Sequence, residues 1–362
     1  MNSFSRIHTF ANRQTQRGLS LIELMISITI GLLILSALST LFVNQSRTRS
    51  ELDKSNRMID NGRYALELLS DNLKLAGFYD NFMPSGTPAT APDPCTVPTT
   101  SLDVLLHHVQ GYNAATATAT ASPPAACVTA GLTSLNPGSD ILVLRRASTS
   151  TPVAAAAAVA ATTYLQVSNC STDTSGSYQI APGTAAFTAF HKKNCTDSGP
   201  GVDDGPATLR PFIVQVYFVS PDNNTGDGIP TLKRMEFNPA TGAIDLITPL
   251  VEGIEYMQID YGLDTDADGV ANSYIDAPAL ANWPNIVSIK INIIARNTEA
   301  TTGYTDTKTY ALGIAGNFGP FNAAPYNAAP YPVTYPTLAN YKRHAYTQVV
   351  RLVNPSSRRE VP

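Results

Sequence analysis

The sequence is poor in charged residues, and it holds few histidines and a single tryptophan. Charged side chains make up 14% of its 362 residues, whereas globular domains usually contain about 25%. The formal net charge is −4, so the basic patch or stripe of a nucleic-acid-binding protein is not expected. Alanine, threonine, serine, asparagine, proline and glycine are abundant instead, as in many secreted, loop-rich β proteins.

Recognisable catalytic motifs are also absent. None of the five histidines lies in a His-Glu-x-x-His pattern, and the chain has no Gly-x-Ser-x-Gly elbow and no phosphate-binding glycine-rich lysine loop. The adjacent His107 and His108 follow an apolar Val-Leu-Leu segment, which favours a strand or surface position over a ligand pair. We therefore expect no enzymatic activity and no cofactor, apart from one calcium hypothesis given below.

The chain contains only four cysteines, which is an even number. Cys95, Cys127, Cys170 and Cys195 all follow the N-terminal apolar segment, and none lies in a Cys-x-x-Cys pair. An even count suggests two disulfides formed in an oxidising compartment, although the sequence leaves their connectivity open. We favour the pairs closest in sequence, Cys95 with Cys127 and Cys170 with Cys195. Metal ligation is the weaker alternative, because no spacing is typical of a zinc site.

One long hydrophobic run is present, from Leu19 to Val43. It is long enough for a membrane-spanning helix of about 20 residues, and Glu23 carries its only charge. Three arginines and no acidic residue precede the run, and no Ala-x-Ala-like cleavage site follows it, which is unlike an ordinary secretory signal. Because a charge within a membrane span is costly, Glu23 is a candidate functional residue.

The segment from Gly18 to Met25, Gly-Leu-Ser-Leu-Ile-Glu-Leu-Met, resembles the type IV prepilin signature, although Leu19 replaces the commonest phenylalanine. The resemblance implies cleavage between Gly18 and Leu19 by a membrane prepilin peptidase, followed by N-methylation of Leu19. It also implies that Glu23 pairs with the N-terminal amine of a neighbouring subunit in a filament, which would neutralise a buried charge. The alternative is an uncleaved anchor with an isolated acid.

The helix is predicted to continue beyond the apolar run. Apolar residues recur on one helical face, and Gly77 after them is a typical C-terminal cap. Gly62 and Gly31 are expected to bend or locally weaken the helix. Packing of the stripe on a β-sheet is preferred to a separate coiled coil; the stripe consists of Leu52, Ile59, Leu66, Leu69, Leu73 and Ala76.

Beyond Phe78 the sequence predicts β-strands separated by long loops rich in alanine, threonine and proline. Pro211–Val219 is apolar on both faces and is predicted to be central, and Ile286–Arg296 alternates isoleucine with polar residues. The expected fold is α+β and pilin-like, with a long N-terminal transmembrane helix packed on an antiparallel sheet and with disulfide-pinned loops. The other predicted strands are Asp140–Arg146, Thr163–Ser168, Leu232–Asn238, Val251–Tyr261, Lys308–Gly313 and His344–Val353.

These expectations divide the chain into four parts. Residues 1–18 form the leader, residues 19–43 the transmembrane half of the helix, and residues 44–77 its amphipathic half. Residues 78–362 form a β-rich head, expected in the periplasm.

An aspartate-rich segment at Asp264, Asp266 and Asp268, followed by glycine, matches the first half of a calcium-binding loop. The match is incomplete, because its twelfth position is Ile275 and not glutamate. The alternative is a hairpin turn rich in aspartate and glycine. Calcium bound by these three carboxylates is therefore a hypothesis. The segment Val251–Tyr274, which contains the loop, resembles the PilW family of minor pilins.

A direct repeat follows later in the chain, where Asn322–Tyr326 recurs as Asn327–Tyr331. Its prolines disfavour regular strand pairing and predict an extended loop. We prefer a loop that lies over the sheet with half-buried tyrosines. The alternative is a tyrosine-rich contact surface for a partner.

Further resemblance to the PilW family, in Arg17–Phe78, Val251–Arg296 and His344–Asn354, implies a minor pilin that primes or caps a type IV pilus. The implied partners are other minor and major pilins, the prepilin peptidase and the inner-membrane assembly platform. A tip adhesin is a further candidate partner. The implied location is the inner membrane, and then the pilus. Two alternatives remain: the J-type minor pseudopilin of a type II secretion system, and an adhesive module at the pilus tip.

Overall fold

The computed structural model describes residues 18–173, 176–195, 205–238, 241–323, 326 and 338–360. Most of the predicted leader therefore lies outside the described residues. Two compact units, Met1–Asp53 and Lys54–Pro362, are distinguished and are treated separately below.

The helices are α1 (Leu21–Lys74), α2 (Leu102–Leu106), α3 (Ala125–Thr129) and α4 (Val353–Arg359). The strands are β1 (Val109–Tyr112), β2 (Ile141–Ala147), β3 (Thr163–Val167), β4 (Tyr178–Pro182), β5 (Leu209–Ser220), β6 (Thr231–Asn238), β7 (Ala243–Glu252), β8 (Ile254–Leu263), β9 (Ser273–Ile275), β10 (Ile286–Arg296), β11 (Tyr310–Ala311), β12 (Asn317–Phe318) and β13 (Arg343–Arg351).

The first unit contains the apolar part of α1. Within the described residues, α1 is the one helix long and apolar enough to cross a membrane, and its residues from Leu21 to Ser50 are exposed. The hydroxyl groups of Ser27, Thr29 and Thr40 donate to backbone carbonyls one turn earlier, as Ser27 Oγ does to Glu23 O at 2.7 Å. Because these donors are satisfied within the helix, the polar side chains are compatible with a lipid environment.

In the second unit, β1 to β7 form an antiparallel sheet of seven strands. The order is β1-β2-β5-β3-β4, with β6 attached to β5 and β7 to β6. β5 pairs with β2, β3 and β6, which confirms the predicted central strand. Its two apolar faces lie in two different core clusters, with Val216 and Phe218 in one and Tyr217 and Val219 in the other.

The other large sheet is antiparallel and four-stranded, in the order β13-β10-β8-β9. Alternate isoleucines of β10 (Ile289, Ile291 and Ile293) share a buried cluster with α1, as the predicted alternation requires. The α+β, pilin-like fold, in which the helix packs on antiparallel sheet, is therefore confirmed. The buried residues of α1 are Met58, Gly62, Ala65, Leu66, Leu69, Ser70 and Leu73.

The buried stripe of α1 begins later than the sequence predicted. Leu52 is 57% exposed and Ile59 is half-buried, whereas Met58 is buried. Gly62 does not interrupt α1, which is continuous from Leu21 to Lys74. A Cβ at Gly62 would overlap the ring of Tyr346 on β13. The glycine therefore allows close approach between helix and sheet. A bend at this position stays a prediction.

Several predicted strand limits were wrong for identifiable reasons. Val251–Tyr261 is divided by Gly253, whose φ of 77° and N–H bond to Pro230 O end β7 before β8 begins. The strand predicted to reach Val353 ends at Arg351 and is followed by α4. Only the two residues of β11 form a strand within Lys308–Gly313. The sequence also missed β1, β4, β9 and β12, which are five residues or shorter, and most of β7.

Asp140, immediately before β2, joins the two large sheets. Its N–H donates to Met257 O at 2.8 Å, and its carboxylate accepts the N–H groups of Ile259 and Ala114, each at 2.8 Å. β9 pairs with β8 only from Tyr261 onward, so these bonds satisfy the preceding edge of β8. Burial raises the pKa of Asp140 to about 7, although both N–H bonds favour its ionised form.

A buried group of charged side chains holds the segment between β10 and β13 in place. Arg343 Nε and Nη2 donate to the two carboxylate oxygens of Glu255 at 2.5 and 2.9 Å, and Nη1 donates to Asp306 at 3.2 Å. The guanidinium carbon also lies 3.7 Å from the ring centre of Phe321. Burial alone would lower the pKa of Arg343, but the nearby carboxylates raise it above its usual range.

Replacing Glu255 by glutamine should destabilise the second unit by about 3–5 kcal/mol, because Arg343 would stay buried without its bidentate partner. Urea unfolding of the full chain in detergent measures the change. Arg234→Gln is the control, since it breaks a 2.7 Å pair with Glu236 whose side chains are both about one-quarter exposed. That variant should lose no more than about 1 kcal/mol. Equal losses in the two variants would contradict the role assigned to Arg343.

Candidate functional site

The start of α1 is a capping box formed by Ser20 and Glu23. Ser20 N donates to Glu23 Oε2 at 2.9 Å, and Glu23 N donates to Ser20 Oγ at 3.2 Å. The two side chains thus satisfy backbone donors that the first helical turn leaves free. The sequence analysis singled out Glu23 but missed Ser20. The signal was present, because Ser-x-x-Glu directly before an apolar run is a helix-start pattern.

The residues around the predicted cleavage point are exposed. Gly18 and Leu19 precede α1, and Leu19 is 77% exposed. A Cβ at Gly18 would meet no atom within 4 Å, so packing among the described residues gives no reason for a glycine there. The second carboxylate oxygen of Glu23, Oε1, receives no hydrogen bond from a described residue. It is available to a further donor.

The four cysteines form two disulfides, Cys95–Cys127 and Cys170–Cys195. These are the sequence-local pairs that we favoured. The first joins the loop before α2 to α3, and the second closes a loop of the seven-stranded sheet between β3 and β5. Near the second bridge, the His191 ring lies 2.7 Å from Asp173.

The aspartate-rich segment folds around the carboxylate of Asp264. Its Oδ1 accepts the N–H groups of Asp266 (3.2 Å) and Ala267 (2.7 Å), and its Oδ2 accepts that of Gly269 (3.0 Å). Asp264 is buried, whereas Asp266 and Asp268 are exposed. Oxygens of the three carboxylates lie within 4.8 Å of one another, close enough to hold a metal ion. Backbone donors nonetheless already use both oxygens of Asp264.

Arg359, at the end of α4, supplies a positive charge to this loop. Its Nε donates to Asp264 Oδ2 at 2.7 Å, and its Nη1 donates to Asn285 Oδ1 at 2.6 Å. Burial alone would raise the pKa of Asp264, but hydrogen bonds from Arg359 and from the Gly269 and Ala267 N–H groups hold it below its usual range. A calcium ion would have to compete with this guanidinium. Calcium binding stays a prediction.

The same short helix also holds the C-terminal end of α1. Asn354 Nδ2 donates to Ala76 O at 3.1 Å, and Arg358 donates to Gly77 O. Ser356 Oγ donates to Gly269 O at 2.6 Å on the aspartate-rich loop. α4 therefore links the end of α1 to that loop. The sequence analysis did not find this contact, because it predicted a strand up to Val353 and assigned no helix to the residues after it.

The remaining candidates from the sequence are structural. Burial lowers the pKa of His107 to about 4 and that of His108 to about 3, so both rings are neutral at pH 7. Tyr326 and Tyr341 are 3% and 6% exposed, and the Tyr326 ring centre lies 4.6 Å from that of Phe321. The second copy of the tyrosine repeat, Asn327–Tyr331, lies outside the described residues, so its contact role stays a prediction.

Comparison with known families identifies two parts of the chain. Residues 13–39 match the prokaryotic N-terminal methylation motif, and residues 216–354 match the type IV pilus-assembly protein W family, PilW. The first match contains Gly18, Leu19 and Glu23, and the second runs from the middle of β5 into α4. These matches confirm the resemblance to PilW-family type IV pilins. No curated protein and no solved structure is significantly similar to the chain.

Arg359→Gln should destabilise the second unit by about 1.5–3 kcal/mol at pH 7, because it removes a charge-assisted bond to a buried carboxylate. Since the pKa of Asp264 is lowered in the folded chain, this stabilisation is present above the unfolded value of 3.8 and is lost as the pH falls through the folded value. Urea unfolding at several pH values should therefore show the variant and wild type converging below about pH 4.

The matched control is Lys74→Gln, which breaks a 3.0 Å pair with Asp71 between side chains more than half exposed. It should leave stability almost unchanged at either pH. A loss in Arg359→Gln that does not vary with pH would contradict the pairing with ionised Asp264.

Proposed function

We propose that the chain, part of which matches the PilW family of type IV pilins, is a minor pilin that helps to prime or cap a type IV pilus. The two family matches support the minor-pilin role. The observation that carries the proposal is the Ser20–Glu23 capping box, which opens a single long apolar helix directly after Gly18. The capping box fixes the Glu23 carboxylate at the start of α1, which is where a filament subunit would need a carboxylate.

Cleavage after Gly18 would give Leu19 a free amine immediately before the N-cap residue Ser20. In a filament, that amine would approach the Glu23 carboxylate of a neighbouring subunit, where Oε1 is available. A carboxylate without a counter-charge is strongly disfavoured in an apolar environment. Pairing would therefore favour the axial register that brings each amine to a Glu23. Ser20 would keep the carboxylate oriented before its partner arrives.

The same helix would anchor the subunit in the inner membrane before assembly, with the second unit in the periplasm. The two disulfides support this orientation, because disulfides form and persist in oxidising compartments. The proposed partners are the prepilin peptidase, other minor and major pilins, and the inner-membrane assembly platform. A loss of protein secretion with normal twitching after gene deletion would favour the J-type pseudopilin alternative.

We further propose that the chain needs neither a catalytic site nor a cofactor for this role. Arg359 already neutralises Asp264, so neither calcium nor a chelator should change the melting temperature of the full chain in detergent. A calcium-dependent rise that disappears in an Asp266→Asn, Asp268→Asn double variant would overturn this expectation and support the calcium site.

Glu23→Gln separates helix capping from charge pairing. Glutamine still accepts the Ser20 N–H of a capping box, but it offers no negative charge to an amine. We expect normal cleavage and N-methylation at Leu19, and about a tenfold fall in the amount of chain in sheared pili, equivalent to about 1.4 kcal/mol per subunit. Mass spectrometry of the mature N-terminus and quantification in the membrane and pilus fractions measure both effects.

Two variants serve as controls for this experiment. Gly18→Leu should leave the chain uncleaved in the membrane, which shows that the assay detects failed processing. Glu67→Gln removes an exposed carboxylate from the same helix and should leave incorporation unchanged. Normal incorporation of Glu23→Gln would refute the docking role of the charge.

A further inference from the structure

A cleft of about 240 Å³ lies beside α4 in the second unit. Its walls are formed by α4, by α2, by residues 84–86 of the loop that follows α1, and by Pro284 and Asn285 before β10. The volume is several times the roughly 30 Å³ that one water molecule occupies in the liquid. The cleft can therefore admit a small organic group.

The lining of the cleft is basic. Arg358 and Arg359 belong to it, whereas no aspartate or glutamate does among the described residues. The charge of Arg359 is already matched, because its Nε donates to Asp264 Oδ2 at 2.7 Å. His108 also lines the cleft, but its ring is neutral at pH 7. Within the described part of the chain, Arg358 thus gives the cleft its uncompensated positive charge.

Arg358 has no carboxylate partner in the described chain. Its hydrogen bond runs from Nη2 to the neutral carbonyl of Gly77, and its guanidinium carbon lies 5.4 Å from the ring centre of Tyr79. A guanidinium has five N–H donors, so most of them stay without an acceptor, and Nε and Nη1 both reach solvent. Burial lowers the pKa of Arg358, because desolvation disfavours its charged form. An anion in the cleft would offset this cost.

Arg145 shows how a buried arginine is satisfied without a carboxylate. Its Nη1 donates to His107 O at 2.9 Å, and its Nη2 donates to Gln110 Oε1 at 2.7 Å and to Pro92 O at 3.2 Å. Three acceptors from the chain thus surround that guanidinium. Arg358 has one such acceptor, so its remaining donors are available to a ligand.

Two neutral groups add donors to the same cleft. Asn285 Oδ1 accepts a hydrogen bond from Arg359 Nη1 at 2.6 Å, and Asn285 Nδ2 donates to no described residue. The exposed Ser85 has a hydroxyl without a partner in the described chain. The buried Leu105 and Leu106 also line the cleft, and apolar surroundings strengthen charged contacts. Donors around one positive charge are suited to an anion.

We propose that this cleft, called the Arg358 cleft below, binds a carboxylate group through the Arg358 guanidinium, with Asn285 Nδ2 and the Ser85 hydroxyl as further donors. A carboxylate is preferred to phosphate, because one uncompensated charge matches a singly charged group. The carboxylate belongs either to a free small acid or to an aspartate or glutamate side chain of a neighbouring subunit. The inference does not depend on the proposed minor-pilin function, since one chain contains the whole cleft.

The test uses acetate as the probe and follows modification of arginines by methylglyoxal in the purified full chain in detergent. At about ten times its dissociation constant, acetate should slow modification of Arg358 by about tenfold, because the unoccupied fraction falls as 1/(1 + [L]/Kd). Mass spectrometry of the modified peptides measures the rate at each arginine. Acetamide, which has the same shape without the charge, should give no protection.

Arg63 is the internal control for this reaction. It is exposed on α1 and has no ion pair among the described residues, so it should react at the same rate with and without acetate. Arg358→Gln should abolish acetate binding in ligand-observed NMR, whereas Arg63→Gln should retain it. The protection measurement uses the wild-type chain, so it decides the question even if Arg358→Gln does not fold.

The same reaction in sheared pili distinguishes the two sources of the carboxylate. If a neighbouring subunit supplies it, Arg358 should be protected in pili without added acetate. If the ligand is a free acid, Arg358 should react in pili and acetate should slow that reaction. A chain that is absent from pili would contradict the minor-pilin function and leave the result with the purified chain unaffected.

Several results with the purified chain would overturn the Arg358 cleft as a carboxylate site. These are an Arg358 that does not react even without acetate, an Arg358 that acetate fails to protect, protection that acetamide or chloride reproduces, and equal protection of Arg63. Stronger protection by phosphate than by acetate at the same concentration would overturn the choice of carboxylate.

Discussion

Packing of one face of α1 against two antiparallel sheets is the interaction on which the second unit depends. The cluster around Leu69 and Leu73 contains side chains from β2, β5, β8 and β10, so neither large sheet has a complete core without the helix. Gly62 brings the helix close to β13, and α4 bonds the carbonyl groups at its end. A change that loosens this face would therefore affect both sheets together.

Single polar side chains then connect elements that the apolar core leaves separate. Asp140 joins the edge of β8 to the start of β2. Arg343 joins β13 to β8 through Glu255 and to the segment between β10 and β13 through Asp306. A buried polar group is tolerated only when its partners are in place. Each of these residues therefore specifies one arrangement of the strands around it, in addition to any stability that it contributes.

Local periodicity was sufficient to predict α1, the central strand β5 and the isoleucine face of β10, because each signal lies within one element. The limits of β7 and β8 depended on the positive φ of Gly253, which is a backbone property. The fold of α4 and the role of Arg359 depended on Asp264, which is distant in sequence. Composition and spacing do not reveal such partners. Ser20 was different, since its capping pattern with Glu23 was visible in the sequence and was overlooked.

Glu23 and Asp264 illustrate why a carboxylate must be judged by its partners. Both stood out in the sequence as acids that need a cation. Asp264 has one within the chain, because Arg359 lies 2.7 Å away, and an added metal ion would gain little there. The Glu23 carboxylate accepts a hydrogen bond from Ser20 N but has no cation partner among the described residues. This hydrogen bond orients the carboxylate without neutralising it, so in the filament that we propose its counter-charge would come from the amine of another chain.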